Sequence, residues 1–97
     1  MIRHVVVFTW TQDMTETMEQ QFAAELTALA ATLPGLRAYH AGPDAGINQG
    51  NFDFAVVADF DDVDSYLDYR DNAEHKAIIS QFSGPHTKSR AAVQYEI

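Results

Sequence analysis

The chain has 97 residues, 46% hydrophobic and 21% charged, a balance that belongs to an ordinary globular domain and excludes a fibrous or disordered one. Fourteen acidic against six basic side chains give a formal charge of −8, a field that repels nucleic-acid phosphates and anionic lipid alike. With no cysteine, disulfide scaffolds, thiol catalysis and cysteine-ligated zinc are excluded, and no apolar run reaches the ~20 residues of a membrane helix.

Met1-Ile2-Arg3-His4 enters a strand pattern at once, which leaves no room for a signal peptide, so the expected location is cytoplasmic. From Ile2 to Trp10 the even positions are large (Ile2, His4, Val6, Phe8, Trp10) and the odd ones include Val5 and Val7, giving a strand apolar on both faces. Asp13 and Glu16 stand at the spacing of a capping box. Met18, Phe22, Leu26, Leu29 and Leu33 then mark one face of a helix that Pro34-Gly35 ends. Leu36 to Ala41 reads as a second strand, and the turn formers from Gly42 to Asn51 as a loop. Phe52, Phe54, Val56, Ala58 and Phe60 alternate with smaller or acidic residues in a third strand, stopped by the helix-starting Asp61-Asp62.

Val63, Tyr66 and Leu67 suit a short helix, Asn72 can cap another carrying Ala77, Ile78 and Phe82, and Gly84-Pro85 breaks it before a last strand from Ala91 to Ile97. The order β-α-β-β-α-β is the ferredoxin-like arrangement of the α+β class, a single domain over 1–97 with helices on one face of a four-stranded antiparallel sheet. Val5, Val7, Ala55 and Val57 fall on the helix-free face, where exposure forfeits ~25 cal/mol per Å² of apolar area. A homodimer formed through the helix-free sheet faces is the simplest cover.

Among the four histidines, His4 shares a strand face with Val6 and Phe8; it is either a core residue bonded to a carbonyl or part of a pocket. If Asn72 caps its helix, His75 is the third residue, where the positive end of the macrodipole disfavours imidazolium and leaves a neutral base. Tyr69, six residues earlier, misses that helix face, but a break near Asp71-Asn72 could fold its hydroxyl toward His75. The plainer alternative is a packed tyrosine beside a solvated histidine. His40 and His86 have no evident partner. No HxH or HxxxH pair calls for a metal, and without GxGxxG, GxxxxGK[ST] or GxSxG motifs no cofactor is called for. The Asp61-Asp62-Val63-Asp64 run reads as capping plus solvated charge.

Three stretches, in order, resemble the stress-responsive A/B barrel domain family. They are Met1 to Phe8 with its early histidine, Leu33-Pro34-Gly35-Leu36, and Phe54 to Val63 followed by Tyr66, Tyr69 and Ala73-Glu74-His75. The resemblance implies a dimeric α+β barrel. A plant polyketide cyclase of that family, the enzyme that makes olivetolic acid, uses a tyrosine and a histidine at this six-residue spacing for a cofactor-free aldol closure. By resemblance Tyr69 and His75 take those places, His4 matches its N-terminal histidine and Phe22 the aromatic of its first helix. The chain departs in having Asn72-Ala73 where the family often has His-Pro, and Phe54 where the cyclase has a further histidine.

Two readings follow. In one the chain is a cofactor-free enzyme with His75, Tyr69 and His4 catalytic, and Phe22, Leu26, Phe54, Val56 and Ile78 around a small aromatic or polyketide-like substrate. In the other it is a non-catalytic protein that binds a small apolar ligand or serves as a stress-associated accessory. The cofactor-free antibiotic-biosynthesis monooxygenases share this barrel shape, and Trp10 and the histidines suit that class loosely.

Overall fold

The computed structural model describes residues 1–97. Its sheet has the order β2-β3-β1-β4, with β1 at Ile2–Trp10, β2 at Leu36–Pro43, β3 at Phe54–Phe60 and β4 at Thr87–Glu96, every neighbouring pair antiparallel. Helices α1 (Glu16–Ala30), α2 (Val63–Asp71) and α3 (Ala73–Gln81), with a single helical turn α4 (Ser83–His86), complete a ferredoxin-like α+β domain. No helix is long and apolar enough to cross a membrane.

Alternation along β1 and β3 decides which side the helices cover. His4, Val6 and Phe8 on β1, and Phe54, Val56, Ala58 and Phe60 on β3, are all buried. Val6, Phe8, Phe54 and Val56 pack with Phe22, Leu26 and Leu29 of α1 and Ile78 of α3, and Ala58 and Phe60 with Tyr69 of α2, to form the core between sheet and helices. On the opposite face the register aligns Val5 with Val57 and Val93, and Val7 with Ala55 and Ala91. This helix-free stripe is apolar across three strands, and Val93 is 53% exposed.

Several boundaries differ from the sequence reading. Thr15, not Asp13, caps α1: its hydroxyl accepts the Met18 backbone N–H at 3.1 Å, while Asp13 lies in the turn before it. Leu33 lies past the end of α1 and reaches the core from the following turns. Phe52 precedes β3 and is 40% exposed, because the chain enters the sheet only at Phe54. Ala77 faces solvent. Gly84-Pro85 forms α4 rather than a break; proline is tolerated in a first helical turn, where its missing N–H has no helical partner to lose. The last strand starts at Thr87, four residues earlier than Ala91. β4 is an edge strand with exposed side chains from Lys88 onward, so no buried alternation announces its start.

Candidate functional site

The break between α2 and α3 builds the site. Asn72 closes α2 with an N–H to the Tyr69 carbonyl and caps α3, its side-chain Oδ1 accepting the His75 backbone N–H at 3.0 Å. Its backbone is extended, at φ −60° and ψ 132°, so the chain changes direction between the two helices. Residues six apart, which one continuous helix would separate, are thereby stacked: the Tyr69 and His75 rings lie 4.2 Å apart, tilted by 37°. The Tyr69 hydroxyl does not turn toward His75. It sits 2.8 Å from the hydroxyl of Tyr39 on β2.

Both histidines at the site are held neutral. Burial pushes the His4 imidazole down to about 4, with the positive charge of Arg90 and then His75 adding to the effect. Burial also lowers His75, against a smaller opposing contribution from the Arg70 carbonyl. That carbonyl lies 3.3 Å from His75 Nδ1 and can only accept, so Nδ1 carries the proton and Nε2 keeps its lone pair for use as a base. His4 has the complementary tautomer: the Gln94 side-chain amide donates to its Nδ1 at 2.9 Å, which leaves Nε2–H as a donor. Burial raises both phenols, Tyr69 to about 12 and Tyr39 higher, so each stays protonated; the bond from Tyr39 draws Tyr69 slightly back. With Tyr39 donating, the Tyr69 proton is available to a ligand.

These groups open on one cavity of about 340 Å³, the lower end of the range for small-molecule sites (~300–1,000 Å³). His4, Tyr69 and His75 line it, as do Phe22, Leu26 and Val56. Phe54 and Ile78 do not; both belong to the core, and Ile79, one residue on, reaches the cavity instead. A one-residue step turns a helix by about 100°, and a short helix with two successive isoleucines gives no sign of which one faces the site. Sequence reasoning missed Tyr66, whose ring is 5.1 Å from that of His4, and also Ser83, Thr87, Arg70 and Arg90. Arg90 sits opposite Phe8 across the β1–β4 register, a signal readable only once β4 is known to start at Thr87. His40 is exposed on the helix-free face beside Val57, and the His86 ring bonds the Phe82 carbonyl at 2.7 Å; neither lines the cavity.

A sequence-family description, the stress responsive A/B barrel domain (Dabb), matches residues 2–97. Among solved structures, a dimeric ferredoxin-like protein of unknown function from Thermobifida fusca is 38% identical, covering 99% of this chain and 90% of its own, with a TM-score of 0.90. A dimeric protein of unknown function and ferredoxin-like fold from Bacteroides fragilis is 25% identical over 99% of this chain and 95% of its own, with a TM-score of 0.78. A hydroxynitrile lyase from Passiflora edulis shares the fold at 19% identity, 99% and 92% coverage and a TM-score of 0.82. No curated protein matches. A match spanning nearly the whole chain is decisive: the chain belongs to the stress-responsive A/B barrel domain family.

Proposed function

We propose that the protein is a cofactor-free enzyme of the cytoplasm, working as a homodimer joined through its helix-free sheet faces, in which His75 removes a proton from a small aromatic or polyketide-like substrate. The observation that carries this reading is the neutral His75, with its Nε2 lone pair free, stacked on a protonated tyrosine beside an apolar cavity. Nε2 takes a proton from carbon next to a carbonyl, the C–H electron pair becomes the enolate, and the Tyr69 hydroxyl hydrogen-bonds the developing oxyanion. In an aldol-type closure the enolate carbon attacks a second carbonyl of the same molecule, and the imidazolium returns its proton to the new alkoxide. Tyr39 acts through Tyr69 as a positioning residue. The dimer is supported by the dimeric relatives and by the apolar stripe of Val5, Val57 and Val93. The hydroxynitrile lyase supports the view that this fold accommodates an active site.

Hydrogen–deuterium exchange at carbon tests the step without knowledge of the natural product. Small aryl methyl ketones and 1,3-diketones incubated in D₂O with the protein should exchange their α-protons, and His75→Ala should slow that exchange by about 10²–10⁴-fold, the usual weight of a positioned base. Exchange that is equal in wild type and His75→Ala sinks the mechanism. Ligands that bind in the cavity but never exchange favour the non-catalytic reading.

A further inference from the structure

We infer that the cavity is built for a small anionic ligand, an apolar or single-ring molecule carrying a carboxylate, with the guanidinium of Arg90 as its anchor; this rests on the reading that the cavity is the substrate site. The chain has fourteen acidic side chains, yet none of them lines the cavity, and the only charged side chains that do are two arginines. A polypeptide of net charge −8 has thus placed a third of its six basic groups around one small volume and kept every carboxylate out of its lining. The two arginines are not equivalent. Arg70 is held by its neighbour Asp71 through paired bonds of 2.9 and 3.1 Å, which spend its fork. Arg3 and Arg37 are likewise committed to Asp59 and Asp61. Arg90 is the one arginine with no carboxylate partner.

Its position suits the role. Arg90 projects from the helix-facing side of β4, in register with Phe8, so a dimer formed on the other sheet face leaves it uncovered. It is exposed at the rim, while Phe8, Phe22 and Leu26 line the cavity as buried residues. A ligand with an apolar body inside and a carboxylate at the rim matches that polarity. The arginine fork binds carboxylate in a bidentate, charge-assisted way, and with no carboxylate in the lining nothing there neutralises Arg90 in advance.

Phenylacetate and its neutral isostere phenylacetamide, titrated against the full chain and followed by NMR shifts of cavity residues, test this. Phenylacetate should bind at least about tenfold tighter, and rising salt should narrow the gap. Arg90→Gln should abolish the preference and Arg90→Lys should keep part of it. Arg90 is exposed on an edge strand, and the salt dependence of the native chain supplies a readout that no folding defect can mimic. Equal affinities, a preference that survives Arg90→Gln, or no cavity binding by either probe would overturn the inference. His75→Ala separates it from the catalytic reading: that variant should keep the preference for acid over amide while losing exchange chemistry.

Discussion

His4 shows how one buried residue ties the site to stability. It is 4% exposed, its ordinary pKa is 6.5, and in the folded chain it falls to about 4, so folding disfavours its cation. Between those two values the unfolded chain binds more protons than the native one, which means stability is complete above about 6.5 and is lost as pH falls toward 4. The ceiling of ~1.4 kcal/mol per pKa unit is discounted because the cavity opens to water, leaving roughly 2 kcal/mol for His4. His75 adds to the slope in the same direction. Asp59 and Asp61, held below the usual carboxylate value of 3.8 by Arg3 and Arg37, release their contribution only at still lower pH. Urea unfolding from pH 4 to 8 should therefore show stability rising with pH, and His4→Gln should flatten most of that rise. An unchanged slope in the variant would mean that His4 is not the group being titrated. His4 was readable as a candidate because its strand alternation is unbroken. The hydroxyl partner of Tyr69 was not, because Tyr39 comes from β2, thirty residues earlier, and only the sheet brings them together.

At the scale of elements the informative feature is a single asparagine between two short helices. Each has nine residues, too short to persist in isolation, so both depend on caps and packing. Asp62 caps the first and Asn72 the second. Asn72→Ala removes the acceptor for the His75 N–H and should cost about 1 kcal/mol by denaturant unfolding, the usual worth of such a cap. Because that N–H belongs to the proposed base, the same substitution should also slow α-proton exchange. A stability loss with exchange untouched would show that the cap holds the helix without aiming the ring. The capping residues Asp62 and Asn72, and the alternation of β1 and β3, were legible because each is a local signal of side-chain oxygen or period-two burial. The start of β4 and the helical turn at Ser83 were not: an exposed edge strand carries no alternation, and Gly-Pro serves equally as stop and as first turn. The same gap hid Arg90, since a polar residue in an unassigned stretch points nowhere until its strand register is fixed.

The whole molecule is a sheet with one face covered by helices over β1 and β3 and the other bare. On the bare face the ends are polar and the middle is not. Arg3 and Asp59 form paired bonds of 2.7 and 2.9 Å toward one end, and Thr9 meets Ser89 toward the other, so the valines and alanines between them form an apolar stripe with polar borders. That pattern, an apolar centre inside a polar rim, is how a protein interface is laid out. The stripe is continuous over β3, β1 and β4, and a second copy is the partner proposed for it, since a twofold contact needs one patch that meets itself. Sedimentation equilibrium should thus give a mass of twice 10.8 kDa. Val93→Glu tests the surface itself. Val93 is 53% exposed in the single chain, so the fold should tolerate the change within about 0.5 kcal/mol, whereas a carboxylate in the apolar centre of an interface has neither partner nor water. The variant should shift to a single-chain mass. Val63→Glu, at a valine 54% exposed at the start of α2 and away from the stripe, should leave the dimer intact. If both variants stay dimeric, or both dissociate, the helix-free face is not the contact. Because the cavity opens on the other side of the sheet, a monomeric Val93→Glu that keeps its acid preference and its exchange chemistry would show that pairing stabilises the sheet without completing the site.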